Sequence, residues 1–140
     1  MKAKNIKVIF DTNLWIGFLI GKRLSFMKKY IVDGGITIVI TEQILTEIKE
    51  VTKRKKLKKY FSEDSIDELI EFLDIIAEKV EISPKYYICR DPKDNFLLDL
   101  IDYSGADYLV TGDKDLLMHN PFLHAAIVSP ANFEKIFKSS

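Results

Sequence analysis

Apolar and polar positions follow two rhythms along this chain. Short apolar runs stand at Ile6–Phe10, where only Lys7 interrupts, at Ile36–Ile40 behind Gly34-Gly35, at Tyr108–Val110 and at Ala126–Val128. Each is about as long as a buried strand and too short for a helix. Helical spacing of apolar residues fills the intervals, over about 14–32, 42–52, 64–78, 93–104 and 131–138. Val80–Ile82 predicts one more short strand. The order predicts an α/β fold with a mostly parallel central sheet of about 4–5 strands, helices on both faces and right-handed crossovers. Repeats, low-complexity tracts and linkers are absent, so residues 1–140 read as a single domain.

Composition narrows the class. Hydrophobic residues at 47% and charged residues at 30% exclude disorder, collagen and coiled coil. The lone Cys89 excludes an internal disulfide and suits a reducing cytoplasm. Apolar runs all fall short of the roughly 18 residues of a membrane span, so no membrane partner is expected. Met1–Gly21 has the lysine-then-apolar look of a signal peptide, but Asp11-Thr12-Asn13 cuts it and no small-residue cleavage site follows. The expectation is a mature intracellular protein.

Net charge is zero, which taken alone argues against a nucleic-acid partner. Its distribution argues otherwise. Lys49–Lys59 holds seven bases against Glu50, Glu63–Glu81 eight acids against Lys79, and Asp91–Asp115 seven aspartates against Lys93 and Lys114. Cancellation of blocks leaves strong local fields.

The acids fall in telling places. Asp11 directly follows the first strand, and Asp113 closes Thr111-Gly112-Asp113 just past Tyr108–Val110. Ligands of open α/β sheets bind outside the carboxyl ends of strands, although either residue alone reads equally as a turn or cap. On helix 42–52 the stripe Ile44, Leu45, Ile48, Val51 leaves Glu47 about 90° from its centre, with Glu42 and Glu50 further round towards solvent. Asp91-Pro92-Lys93-Asp94 reads as a helix start with Asp91 as N-cap. Against the stripe Phe96, Leu97, Leu100, Ile101, Asp94 lies about 90° from the centre, and Asp99 and Asp102 fall on the solvated face. Asp11, Glu47, Asp94 and Asp113 thus point towards one crevice. Such a cluster repels itself, and hard divalent metal is the usual compensation. Oxygen-only ligation suits Mg²⁺ or Mn²⁺, one or two ions, rather than zinc. Carboxylate-held magnesium commonly acts on phosphates. His119 and His124 have no ligand spacing, and Trp15 and Phe18 read as core.

VIFDTNLWI, TEQILTEIKEV, KRKKL, CRDPKDNFLLDLI and ADYLVTGDKDLL, in that order from Ile6 to Phe133, resemble the PIN-domain ribonucleases, closest to the branch described as toxins of toxin–antitoxin pairs. The resemblance implies a PIN-like three-layer sandwich and a metal-dependent endoribonuclease. Its acidic quartet falls on Asp11, Glu47, Asp94 and Asp113. Asn13 and Thr111 match polar helpers that orient water or a carboxylate, and Asp115 matches an additional acid near the site. It also implies a cognate antitoxin and a homodimer as partners. Beside a site of this kind, Lys53, Arg54, Lys55, Lys56 and Lys59 read as contacts to the RNA backbone, against the simpler reading of a solvated helix end.

Two other classes remain at this stage. A phosphatase working through phosphoaspartate on Asp11 would want a second acid two residues on, where Asn13 stands. A non-catalytic RNA- or protein-binding module with a relict site would not need the complete quartet.

Overall fold

Every strand runs the same way. A computed structural model describes residues 6–138. In it β1 (Ile6–Phe10), β2 (Ile36–Ile40), β3 (Glu78–Lys79), β4 (Tyr108–Val110) and β5 (Ala126–Val128) form one parallel sheet in the order β3-β2-β1-β4-β5. Between strands lie α1 (Thr12–Ile20), α2 (Leu24–Asp33), α3 (Glu42–Thr52), α4 (Glu63–Ile76), α5 (Asn95–Ser104) and α6 (Lys114–Leu117), and α7 (Pro130–Lys138) follows β5. Helices cover both faces, which is why β1 and β2 read as nearly unbroken apolar runs. Val8, Ile9, Ile38, Val39 and Ile40 are fully buried. Trp15 is fully buried as well, edge-on to Phe10 at 5.2 Å and to Phe18 at 5.6 Å, so both aromatics belong to the core as expected.

From the central β1 the chain first moves outward through β2 to β3, then crosses back to β4 and β5. The reversal falls between β1 and β4. A sheet of this kind opens its crevice at that switch point, beyond the carboxyl ends of the two strands.

Several expected elements shift. The helix expected over 14–32 is two helices. Gly21 closes the first, donating its N–H to Gly17 O at 2.9 Å, and Lys22 turns the chain with a left-handed φ of 54°. The expected strand at Val80–Ile82 lies two residues earlier, with Val39 and Ile40 of β2 in register with Glu78 and Lys79. Ladder pairing is a backbone property of this polar edge, whereas Val80 and Ile82 pack on the core and carry the apolar signal. The expected 93–104 helix begins as a 3₁₀ turn, Pro92–Asp94, that runs into α5, and Gly105 ends α5 at φ 68°. Among the described residues no helix is long and apolar enough to cross a membrane.

Candidate active site

The ends of β1 and β4 are tied together by side chains. Asp11 donates its backbone N–H to Val110 O at 3.0 Å. Its Oδ2 accepts the Thr111 hydroxyl at 2.7 Å, and its Oδ1 accepts the Asn13 N–H at 3.3 Å, capping α1. Having given away its hydrogen, Thr111 Oγ1 accepts the Asp113 N–H at 3.1 Å. Asp113 in turn caps α6, its Oδ1 accepting the Asp115 N–H at 2.9 Å. Asp11 is thus a buried, oriented carboxylate, and Thr111 is the strut that fixes it. Asn13 reaches this arrangement through its backbone; its side chain is exposed.

Glu47 enters from α3. The Thr12 hydroxyl at the start of α1 donates to Glu47 Oε1 at 2.9 Å, and Gln43 Nε2 reaches Oε2 at 3.4 Å. Glu47 therefore stands one residue from Asp11 through the Thr12 hydroxyl.

Asp94 enters from the start of α5. Burial first, then the charge of Asp113 and a hydrogen bond with its carboxyl, then Asp91 and Asp11, push its carboxyl up to about 7. Asp94 therefore holds a proton more readily than an ordinary aspartate, because its burial and its acidic neighbours disfavour the charged form. Among the described residues, none of the four acids forms an ion pair with Lys, Arg or His. No three acidic, histidine or cysteine side chains among them converge as a ready metal cage either. The donor chemistry nevertheless suits a hard cation: oxygen ligands only, in negative excess, with one acid lifted by its neighbours. Asp11, Asp94 and Asp113 share one field, and Glu47 borders it.

Sequence reasoning missed three residues here. Asn95 is buried and accepts the Cys89 N–H at 2.9 Å. Burial, then Asp94 and Asp113, push the Cys89 thiol up to about 11, which leaves it a protonated, inert wall. Arg90 Nη1 lies 4.0 Å from Asp115 Oδ1. Their only sequence signal is adjacency to Asp91–Asp94.

Asp99 and Asp102 correct the expectation of a solvated face. Asp99 is 3% exposed, its Oδ1 accepting the N–H groups of Lys85 and Tyr86 at 3.0 and 2.9 Å. Asp102 Oδ2 takes Lys85 Nζ at 2.6 Å and the Tyr86 hydroxyl at 2.7 Å. The irregular strap 80–91 lies over this side of α5, burying Asp99 and half-covering Asp102. Asp91 does cap the 3₁₀ turn as expected, accepting the Lys93 N–H at 3.0 Å.

The basic block stands apart from the acids. Lys53 caps the C-terminus of α3, and Arg54, Lys55, Lys56 and Lys59 are exposed beyond it. Lys53 is six residues past Glu47, about 9 Å along the helix at 1.5 Å per residue. With Lys49 and Lys58 it lines a groove of ≈ 940 Å³ whose other wall is the acidic side of α4.

A profile of the PIN domain matches residues 7–115. The VapBC2 structure from Rickettsia felis, bound to a DNA fragment from their promoter, has the same fold with a TM-score of 0.60, at 18% identity over 89% of this chain and 98% of that one. PAE2754 from Pyrobaculum aerophilum gives a TM-score of 0.60 at 13% identity, over 96% of this chain and 91% of that one. No curated protein matches the sequence.

Proposed function

The chain belongs to the PIN-domain family, and on that premise we propose that it is a metal-dependent endoribonuclease acting in the cytoplasm. One observation carries this reading. Asp11, Asp94 and Asp113 share one field near the switch point with Glu47 bordering it, and among the described residues no cation of the chain pairs with them.

Asp11, Asp94 and Asp113 would hold Mg²⁺ or Mn²⁺, with Glu47 completing the set. When bound, the metal supplies neutralisation of phosphate oxygens and a more acidic water. The remaining work belongs to the chain. Thr111 holds the Asp11 carboxylate at one angle, and Thr12 does the same for Glu47. Both hydroxyls donate to these carboxylates, so the acids meet their ligand pre-oriented. Asp94, whose carboxyl burial and neighbouring acids push up, is the acid of the set that gains most from a cation that answers its charge. The phosphodiester opens to 5′-phosphate and 3′-hydroxyl ends. Lys53, Arg54, Lys55, Lys56 and Lys59 extend the contact along the RNA backbone.

The toxin-branch resemblance and the fold shared with VapBC2 support a toxin role, with an antitoxin partner and a homodimer as parts of the same reading. The test is purified protein incubated with mixed RNAs in Mg²⁺, in Mn²⁺ and in EDTA, with end-group analysis of the products. Cleavage in the metal arms alone is expected. Full activity in EDTA, or undiminished activity in Asp11→Asn, overturns the proposal.

A further inference from the structure

An acidic site that takes a polyanion has a problem at its mouth: something must hold the phosphates against the repulsion of the carboxylates. We infer that Arg90 is this phosphate clamp, and that Asp115 is the acid on which it rests when no RNA is bound. The inference rests on the nuclease reading and deepens it.

Arg90 is an exposed head on an anchored stem. Cys89, before it, is anchored through its N–H to buried Asn95, and Asp91, after it, is locked as the cap of the next turn. Further back, Asp99 and Asp102 pin Lys85 and Tyr86 of the same strap. The side chain itself is 83% exposed. Its guanidinium is drawn to Asp115 at 4.0 Å, and Asp115 donates its backbone N–H to Asp113 of the quartet. The cation therefore rests on the acid two residues past Asp113 of the quartet. Lys93 and Lys114 are also exposed nearby, but among the described residues neither forms an ion pair with an acid of the site.

The weakness of the pair is what suits it to the task. A long, exposed ion pair contributes little to stability, so giving it up costs little. A phosphate offers the planar guanidinium two oxygens for a bidentate, charge-assisted contact that a single carboxylate oxygen at 4.0 Å does not. RNA would then displace Asp115 from Arg90, leaving that carboxylate free beside the site as the substrate arrives.

The experiment measures binding of a labelled single-stranded RNA in EDTA across a salt series, for wild type, Arg90→Ala, Arg90→Lys, Asp115→Asn and the double variant Arg90→Ala/Asp115→Asn. Arg90→Ala should raise Kd about tenfold at low salt, the loss of one charge-assisted contact. It should also shrink the salt slope by about 0.7, the value for one phosphate on a single strand, while leaving the melting temperature unmoved. Arg90→Lys should recover the slope but not the full affinity. Asp115→Asn should tighten binding in the wild-type background and not in the Arg90→Ala background. If Arg90→Ala binds with unchanged Kd and slope, Arg90 is a solvated rim charge and the clamp is wrong. Equal tightening by Asp115→Asn in both backgrounds would show that Asp115 only repels RNA, and the resting role is overturned. If wild type binds no RNA in EDTA yet cleaves RNA in Mg²⁺, the clamp alone is wrong, because Arg90 should hold phosphate without metal; if it does neither, the ribonuclease reading falls and takes the clamp with it.

Discussion

Asp94 and Asp102 stand at opposite ends of the α5 segment and live in opposite surroundings. Lys85 first, then the Tyr86 hydroxyl, hold the Asp102 carboxyl below the ordinary carboxylate range. Burial and Asp113 lift Asp94 to about 7. One acid has been answered by its own chain, which spends the strap 80–91 on it and on Asp99. The other faces further acids, so its charge is left for something outside the chain to answer. The residue type is the same and both lie on one helix segment; what separates the structural Asp102 from the proposed ligand Asp94 is who supplies the counter-charge.

The strongest way to break this contrast is Asp94→Asn. It should cut metal-dependent cleavage by more than about 100-fold, since even residues behind the ligands commonly cost 10–100-fold. The metal-free variant should melt no lower than wild type, because repulsion is relieved, and should lose the upward shift that saturating Mg²⁺ gives wild type. Melting curves with and without metal, beside a cleavage assay, decide it; full cleavage would place the site elsewhere.

Asp99→Ala attacks the answered side. It orphans the N–H groups of Lys85 and Tyr86 over a buried helix face, and should cost about 2–4 kcal/mol in denaturant unfolding. A change within about 0.5 kcal/mol, ordinary for surface positions, would mean the strap is not held there.

Asp91→Ala removes a cap beside the site without removing a proposed ligand. It should cost about 1 kcal/mol and keep most of the cleavage activity. Were it the inactive variant, and Asp94→Asn merely unstable, the cap and ligand assignments would have to be exchanged.

The gentlest probe is pH. Asp94 binds its proton more tightly folded than unfolded, so its contribution favours the fold at low pH and is lost as pH rises from about 4 to about 7. Asp102 has the reverse sign: its contribution is present above about pH 4 and is lost as pH falls below that. Melting temperatures in EDTA across this range should decline less towards neutrality in Asp94→Asn than in wild type. In Asp102→Asn the deficit should shrink as pH falls. Parallel curves for all three proteins would erase the distinction.

The sequence made the sheet legible because both faces of β1 and β2 are covered, and two-sided burial leaves a continuous apolar run. Helical stripes likewise singled out Glu47 and Asp94, because a stripe edge is where a polar side chain stays near the domain body. Stripe reasoning failed at Asp99 and Asp102 because it assumes one buried face per helix. The strap 80–91 has no periodicity of its own, so nothing in its pattern announced that it would cover the second face. Arg90 escaped for the same reason, since its place beside Asp115 comes from where the strap ends. The break at Lys22 was hidden because apolar residues continue in helical spacing on both sides of it.

The bond from Thr111 to Asp11 joins residues 100 positions apart. During synthesis Asp11 and Glu47 emerge well before β4, Thr111 and Asp113, with Thr111 coming 100 positions behind Asp11. Parallel pairing of β1 with β4 is a long-range closure that must wait for them. A nascent chain therefore carries half of the acids with no means of assembling them. The four acids can be brought together only once β4 has paired with β1, so a nascent chain that stops short of β4 cannot assemble the proposed site.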